Sequence, residues 1–120
     1  MPSGLAASRR EAPRLEVEAV INGRLARGNL RLILHDLGFG GFAVESPIGF
    51  APGTYHEFRF VTAQGMVVGI LAETVYSRDV GMRDGMEHRL SGFKYVLETD
   101  EAMRAVEILI DAAMSPLSFD

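Results

Sequence analysis

The sequence predicts a mainly β protein: a small six-stranded antiparallel (split) β-barrel followed by a C-terminal α-helix. Three observations indicate this fold. Short apolar segments recur every ~8–12 residues between turn signals, which is typical of an all-β barrel. Beyond residue 100 the apolar residues change from the period of a strand to that of a helix. The length of 120 residues, with 48% hydrophobic residues, corresponds to one globular domain.

The first three predicted strands lie before residue 47. The segment LEVEAVI, from Leu15, alternates apolar and acidic residues, and Asn22-Gly23 after it is a strong turn signal. The second strand lies in RGNLRLILHDL. A Gly-rich bend, DLGFGG, then leads to a third strand that begins near Phe42 and ends at Ser46-Pro47.

The last three predicted strands lie between residues 52 and 97. Pro52-Gly53 marks a turn before the fourth strand, which spans Tyr55 to Val61. The fifth strand is long, from Met66 to Tyr76. Residues 77–87 are polar and rich in glycine, so the sequence predicts a mobile loop there. The sixth strand spans His88 to Leu97.

The C-terminal helix is predicted over about residues 100–114, in DEAMRAVEILIDAAM. Thr99 or Asp100 can cap its N-terminus. The polar stripe of the helix consists of Glu101, Arg104, Glu107 and Asp111. Ile108 falls inside this stripe, and apolar residues cover about half of the circumference, which exceeds what docking on one side requires. Ile108 is therefore a candidate residue of a partner or homodimer surface.

The predicted organisation is a flexible lead-in (residues 1–8) and a single domain (residues 9–120), with an arm at 9–14 and a barrel over about 15–97. No apolar run approaches the ~18 residues of a membrane span, and the first residues do not resemble a secretory leader. The absence of Cys excludes disulfides and thiolate metal sites. We expect a cytoplasmic protein that does not insert into membranes.

The net charge of −4 is unevenly distributed along the chain. Residues 1–31 contain six Arg and three Glu, a net charge of +3, whereas the remainder carries six basic and thirteen acidic residues, a net charge of −7. All basic residues except Lys94 are Arg, whose planar guanidinium suits phosphates and guanine edges. The acidic total argues against DNA or RNA as a partner, because binding a polyphosphate backbone needs an excess of cations.

Motifs for catalysis or metal binding are absent from the sequence. It contains no HExxH, GxSxG or Walker A motif, and its carboxylates mostly alternate with apolar residues, as on the solvated faces of strands. His35, His56 and His88 lie in or near different strands, so a metal site would require the fold to assemble them. We expect no catalysis, no cofactor and no metal. A flavin-binding split barrel is an alternative, but no flavin site is recognisable.

Two short motifs lie on either side of the first two predicted strands. They consist of Arg9, Arg10 and Arg14 before the first strand, and of Asp36, Gly38 and Gly41 at the bend after the second. Together with the strand layout, this pattern resembles the PilZ domain family of bacterial cyclic di-GMP receptors, whose signatures are RxxxR and (D/N)xSxxG. The resemblance extends over nearly the whole chain, from about Arg9 to the helix.

The resemblance implies that this barrel binds cyclic di-GMP through the residues of both motifs. A guanidinium such as that of Arg10 or Arg14 can form two parallel hydrogen bonds to a phosphate or to guanine O6 and N7. Asp36 can accept from guanine N1–H and N2–H₂, and Gly41 allows a close approach of ligand and backbone. The arm is expected to close over the ligand and to change the surface that a partner meets.

Gly38 departs from the family pattern, which has Ser at this position. The missing hydroxyl removes one hydrogen bond, which weakens binding about three- to a hundred-fold. A backbone N–H or a water molecule can substitute for it. A second function therefore stays open: a PilZ-fold adaptor that binds no nucleotide and uses the apolar face of the helix, with Ile108, to bind a protein. The sequence does not specify the stoichiometry or the downstream process.

Overall fold

The computed structural model describes residues 10–11, 15–21, 24–25 and 32–114. The predicted lead-in (residues 1–8), Arg9, Arg14 and the Asn22-Gly23 turn lie outside the described residues. The described part contains eight strands and one helix: β1 (Arg10–Glu11), β2 (Glu16–Ile21), β3 (Arg24–Leu25), β4 (Ile33–Leu37), β5 (Gly41–Ser46), β6 (Tyr55–Val61), β7 (Val67–Arg83), β8 (Met86–Tyr95) and α1 (Asp100–Met114).

The strands form one antiparallel sheet in the order β1-β4-β5-β8-β7-β6-β2-β3. The six longer strands, from β4 to β2 in this order, curl into a half-barrel. An isolated bridge between Val17 and Leu32 joins β2 to the residue that precedes β4, so the two sides of the curled sheet meet. The predicted fold, a mainly β six-stranded antiparallel (split) barrel with a C-terminal helix, is confirmed. The two-residue strands β1 and β3 extend the sheet at its edges.

A cluster of phenylalanines fills the inside of the barrel. Phe42, Phe58, Phe60 and Phe93 are at most 2% exposed. Phe58 and Phe93 meet edge to face with ring centroids 4.7 Å apart, and Phe42 stacks on Phe93 at 5.2 Å. Such aromatic pairs contribute about 0.5–1.5 kcal/mol beyond the burial of their area. The barrel wall is therefore a rigid support for side chains on its outer face.

Helix α1 packs its apolar face on the core and begins at the predicted cap. The Thr99 hydroxyl accepts a hydrogen bond from the N–H of Ala102 at 2.9 Å, the usual geometry of an N-cap. Leu109 is fully buried, and Val106 and Ile110 are partly buried against the barrel core. Ile108 lies away from the core and is 37% exposed.

The predicted mobile loop over residues 77–87 is wrong, because this segment is a long β-hairpin. Strand β7 continues to Arg83. It pairs with β8 along the hairpin, beginning next to the turn, where Arg83 lies opposite Met86. Asp84 and Gly85 form its two-residue turn, both with positive φ, as in the turns that match the twist of paired strands. Two register shifts, at Thr74/Tyr76 and Asp79/Gly81, interrupt the regular alternation. These bulges break the period of two from which a strand is recognised in sequence.

Candidate functional site

Four neighbouring strands place Asp36 and Tyr76 in one row on the outer face of the sheet. Asp36 on β4 pairs with Ala43 on β5, Ala43 pairs with Gly92 on β8, and Gly92 pairs with Tyr76 on β7. Directly paired residues of antiparallel strands share one face, and here the opposite face carries the phenylalanine core. This set, the Asp36–Tyr76 row, has a carboxylate at one end, an aromatic ring at the other and small residues between them.

The ring of Tyr76 lies on Gly92. A Cβ atom at residue 92 would come within 2.1 Å of the Tyr76 ring, so glycine is needed for the ring to lie against the sheet. The tyrosine remains 40% exposed. It reaches Gly92 through the bulge between Thr74 and Tyr76. Tyr76 is not among the site residues that the sequence predicts, because nothing in the local sequence indicates that bulge.

Strand β1 places part of the predicted Arg arm beside the Asp36 strand. Arg10 pairs with Leu37, and Glu11 pairs with Asp36. The segment with the first motif and the strand with the second motif are thus neighbours in the sheet. Asp36 itself is half-buried. The ligand contacts predicted for all six motif residues stay predictions, and Arg9 and Arg14 lie outside the described residues.

Internal hydrogen bonds hold the backbone of the Gly-rich bend. The N–H of Gly38 donates to the carbonyl of Gly41 at 2.9 Å, and the carbonyl of Gly38 accepts from the Tyr95 hydroxyl at 2.9 Å. The N–H of Gly38 is therefore already used within the protein. It does not replace the hydroxyl that a serine would present at this position.

Gly41 is required by the pairing of β5 with β8. It is buried opposite Lys94, and a Cβ atom there would lie 1.9 Å from the carbonyl oxygen of Phe93. The neighbouring atom belongs to the backbone of a central strand, so it cannot swing away as a flexible side chain would. This steric requirement explains the glycine independently of any ligand.

Replacing Gly41 with alanine is expected to lower the free energy of unfolding by about 1–3 kcal/mol, because the strands must separate to admit the methyl group. Urea denaturation measures this. Gly69→Ala is the matched control: Gly69 is exposed in β7, and an added Cβ atom would meet only the Glu57 carboxylate at 3.7 Å. An equal effect of the two substitutions would contradict the steric role of Gly41.

Glu45 on β5 lies on the same outer face, two residues after Ala43, and is only 2% exposed. Arg83 donates from Nε and Nη2 to its two oxygens at 2.5 and 3.1 Å. His35 Nε2 lies 2.7 Å and His88 Nδ1 2.9 Å from the carboxylate. The hydrogen bond from Arg83, helped by those from the histidines, outweighs burial and lowers the pKa of Glu45 to about 2. An ionised carboxylate only accepts, so both histidine nitrogens donate.

The prediction that strand carboxylates face solvent is wrong for Glu45. Its partners come from β4, β7 and β8, and the local sequence does not indicate them. Glu45, His35, Arg83 and His88 are called the Glu45 cluster. Two of the three histidines therefore contact Glu45, whereas the third, His56, forms a hydrogen bond with Thr54 Oγ1 at 2.8 Å. Burial lowers the pKa of His56. Within the described ranges, no three His, Asp or Glu side chains are arranged to hold a metal ion.

The half-barrel with its C-terminal helix is the fold of PilZ domains, and two solved structures are similar to this chain. One is the PilZ domain of YcgR from Escherichia coli with cyclic di-GMP: TM-score 0.60, 16% identity, covering 88% of this chain and 87% of that chain. The other is the PlzA protein of Borreliella burgdorferi in complex with cyclic di-GMP: TM-score 0.53, 8% identity, covering 85% of this chain and 50% of that chain. This chain therefore has a PilZ-like fold and spans half of PlzA.

No protein-family model matches the sequence, and no curated protein matches it. At such low sequence identity, the two structures share their backbone fold with this chain, but most of their side chains differ from it. The similarity is therefore one of fold. Across the parts of the chain that the structure describes, no helix has the length and apolar character needed to cross a membrane.

Proposed function

We propose that this chain is a cyclic di-GMP receptor domain that changes its interaction surface when the ligand binds and performs no catalysis. The pairing of β1 with β4 supports this most directly. Two motifs that lie far apart in the sequence are neighbours in the sheet, with Glu11 opposite Asp36 and Arg10 one residue away. The segment that carries the Arg residues of the first motif therefore adjoins the Asp36 strand, and guanidinium groups near a carboxylate suit an anionic guanine dinucleotide.

The Asp36–Tyr76 row supplies the groups that would recognise a guanine. Asp36 would accept from guanine N1–H and N2–H₂, which present two donors on one edge. The exposed Tyr76 would stack on a purine, an interaction worth about 1–3 kcal/mol per base. Arg9, Arg10 and Arg14 would bind the phosphates and close the arm over the ligand. Two solved structures with this fold contain cyclic di-GMP, which agrees with this assignment.

Isothermal titration with cyclic di-GMP tests the proposal on the whole chain. We expect a saturable heat signal with a defined stoichiometry, and none with GMP at the same concentration, because GMP cannot bridge the arm and the row. A folded protein that shows no heat with tens of micromolar cyclic di-GMP would overturn the proposal.

Restoring serine at residue 38 is expected to tighten cyclic di-GMP binding about three- to a hundred-fold, since one hydrogen bond to a neutral or charged group is worth about 0.5–3 kcal/mol. Among the described glycines, positive φ angles occur at Gly53, Gly65, Gly81 and Gly85 and not at Gly38, so the backbone conformation at residue 38 does not require glycine. Competition titration of Gly38→Ser against the parent measures the ratio. Equal affinities, with unchanged melting temperatures, would show that the hydroxyl has no role.

A PilZ-fold adaptor that binds no nucleotide is the second candidate. The observation in its favour is the exposure of Met103, Ile108 and Met114 on α1, each at least 37% exposed although apolar. Ile108 on one side of the helix and Met103 and Met114 on another would then contact a partner protein or a second copy of the chain. The same titration distinguishes the two candidates, because the adaptor gives no heat with cyclic di-GMP.

A further inference from the structure

An apolar groove of about 560 Å³ lies between α1 and the Gly-rich bend. Its apolar lining consists of Phe39, Leu97, Met103, Val106, Ile110 and Met114. Four of these side chains, Phe39, Leu97, Met103 and Met114, are between 40% and 55% exposed. Clustered apolar side chains that remain exposed on a folded domain are typical of a binding surface. The volume lies within the range of about 300–1,000 Å³ that ligand sites occupy.

The edge of this groove is acidic. Glu107 and Asp111 of α1 line it directly. Residues 98–111, which contain the first three turns of α1, carry five acidic residues and only Arg104 as a cation. An anionic ligand such as a nucleotide or a phospholipid head group would be repelled here. A second copy of this chain would bring the same acidic edge against it, and like charges in close contact are unfavourable.

We propose that this groove binds an amphipathic helix of a partner protein, whose apolar face enters the groove and whose Lys or Arg side chains pair with Glu107 and Asp111. Helices bind in grooves through apolar residues spaced at i, i+3, i+4 and i+7. The apolar lining that α1 supplies runs along one side of that helix, at Met103, Val106, Ile110 and Met114. The flexible side chains of Met103 and Met114 adapt to different apolar surfaces. None of the lining residues belongs to the Asp36–Tyr76 row, and Phe39 lies in the Gly-rich bend between Gly38 and Gly41. The inference rests on the apolar lining and its acidic edge and not on nucleotide binding.

A fluorescein-labelled peptide of about 18 residues, built of Leu and Lys in a helical amphipathic pattern, is the probe. Fluorescence anisotropy measures its binding to the full chain. A peptide of the same composition in permuted order removes the apolar face, and a Leu/Glu peptide of the same pattern reverses the charge. We expect the Leu/Lys helix to bind at least about tenfold more tightly than either control.

Two protein variants and a matched control locate the binding. Met103→Glu introduces a charge into the groove at an exposed position and is expected to weaken binding of the Leu/Lys peptide about tenfold or more. The charge-reversed double variant Glu107→Lys/Asp111→Lys is expected to favour the Leu/Glu peptide instead. Met82→Glu, an exposed methionine on β7 outside the groove lining, is the matched control and is expected to leave the affinity within about twofold.

Three results would overturn the proposal. The first is equal binding of the three peptides, which indicates nonspecific attraction. The second is an unchanged affinity of Met103→Glu, confirmed as folded by circular dichroism, which places the peptide elsewhere. The third is concentration-dependent self-association in sedimentation that Met103→Glu abolishes, without peptide binding, since the occupant is then a second copy of this chain.

Discussion

Glu45→Gln is expected to lower the free energy of unfolding at pH 7 by about 2–3 kcal/mol. Glutamine has nearly the size of glutamate but carries no charge. Its amide N–H₂ is a hydrogen-bond donor, and it would face the guanidinium and imidazole groups, which are donors as well. Breaking a fully buried ion pair costs about 3–5 kcal/mol. The effect here is smaller because the Arg83 side chain is 52% exposed and returns to water. The penalty that remains arises because one amide oxygen replaces two carboxylate acceptors beside the buried His88.

The stabilisation by Glu45 is also expected to depend on pH. The pKa of Glu45 is lowered from 4.5 to about 2 in the folded protein. A lowered pKa means that the stabilisation is fully present above pH 4.5 and is lost as the pH falls through about 2. The difference in stability between parent and Glu45→Gln is therefore expected to shrink by roughly half or more between about pH 5.5 and pH 3.

Urea denaturation of both proteins at pH 7, 5 and 3 measures this difference. Glu87→Gln is the matched control, because Glu87 is exposed on β8 next to His88 and its substitution is expected to change stability by no more than about 0.5 kcal/mol. A parent–variant difference that stays the same at pH 3 as at pH 7 would show that the charge of Glu45 does not stabilise the fold.

Asp36→Asn is expected to weaken cyclic di-GMP binding about ten- to a hundred-fold or more if the proposed function holds. The asparagine keeps the shape of the side chain but offers one acceptor and one donor to a guanine edge that has two donors, so a charge-assisted pair of hydrogen bonds is lost. The variant should also lose the preference for cyclic di-GMP over cyclic di-AMP, because adenine lacks the N1–H and N2–H₂ donors.

Arg10→Ala is expected to cause a loss of similar size, through the phosphate rather than the base. Its effect should be equal for both cyclic dinucleotides, since they share the phosphate ring. Arg24→Ala is the matched control, because Arg24 belongs to the same cationic N-terminal third but lies on β3, outside both motifs. Equal losses for Arg10→Ala and Arg24→Ala would indicate attraction by net charge instead of a site.

The hairpin of β7 and β8 shows which parts of the fold the sequence predicts. The alternation in residues 66–76 and 88–97 is local, because each strand buries every second side chain, and both strands were predicted from it. For residues 77–87 the sequence predicts a loop instead of a strand. One bulge breaks the alternation there, between Asp79 and Gly81, and a second lies just before it, between Thr74 and Tyr76. The pairing that keeps the segment extended comes from β8 across the turn.

The candidate site on the outer face of the sheet likewise contains residues that the sequence identifies and contacts that only the tertiary structure shows. The Arg segment and the Asp36 bend are contiguous motifs, and sequence alone was sufficient to single them out. It also predicted the barrel and the helix, whose patterns arise from burying one side of each element in a common core. Tyr76 on Gly92, and Glu45 among His35, His88 and Arg83, were found only from the structure. Their contacts join residues on different strands, and strand register and bulges, which depend on the whole sheet, decide which of these residues meet.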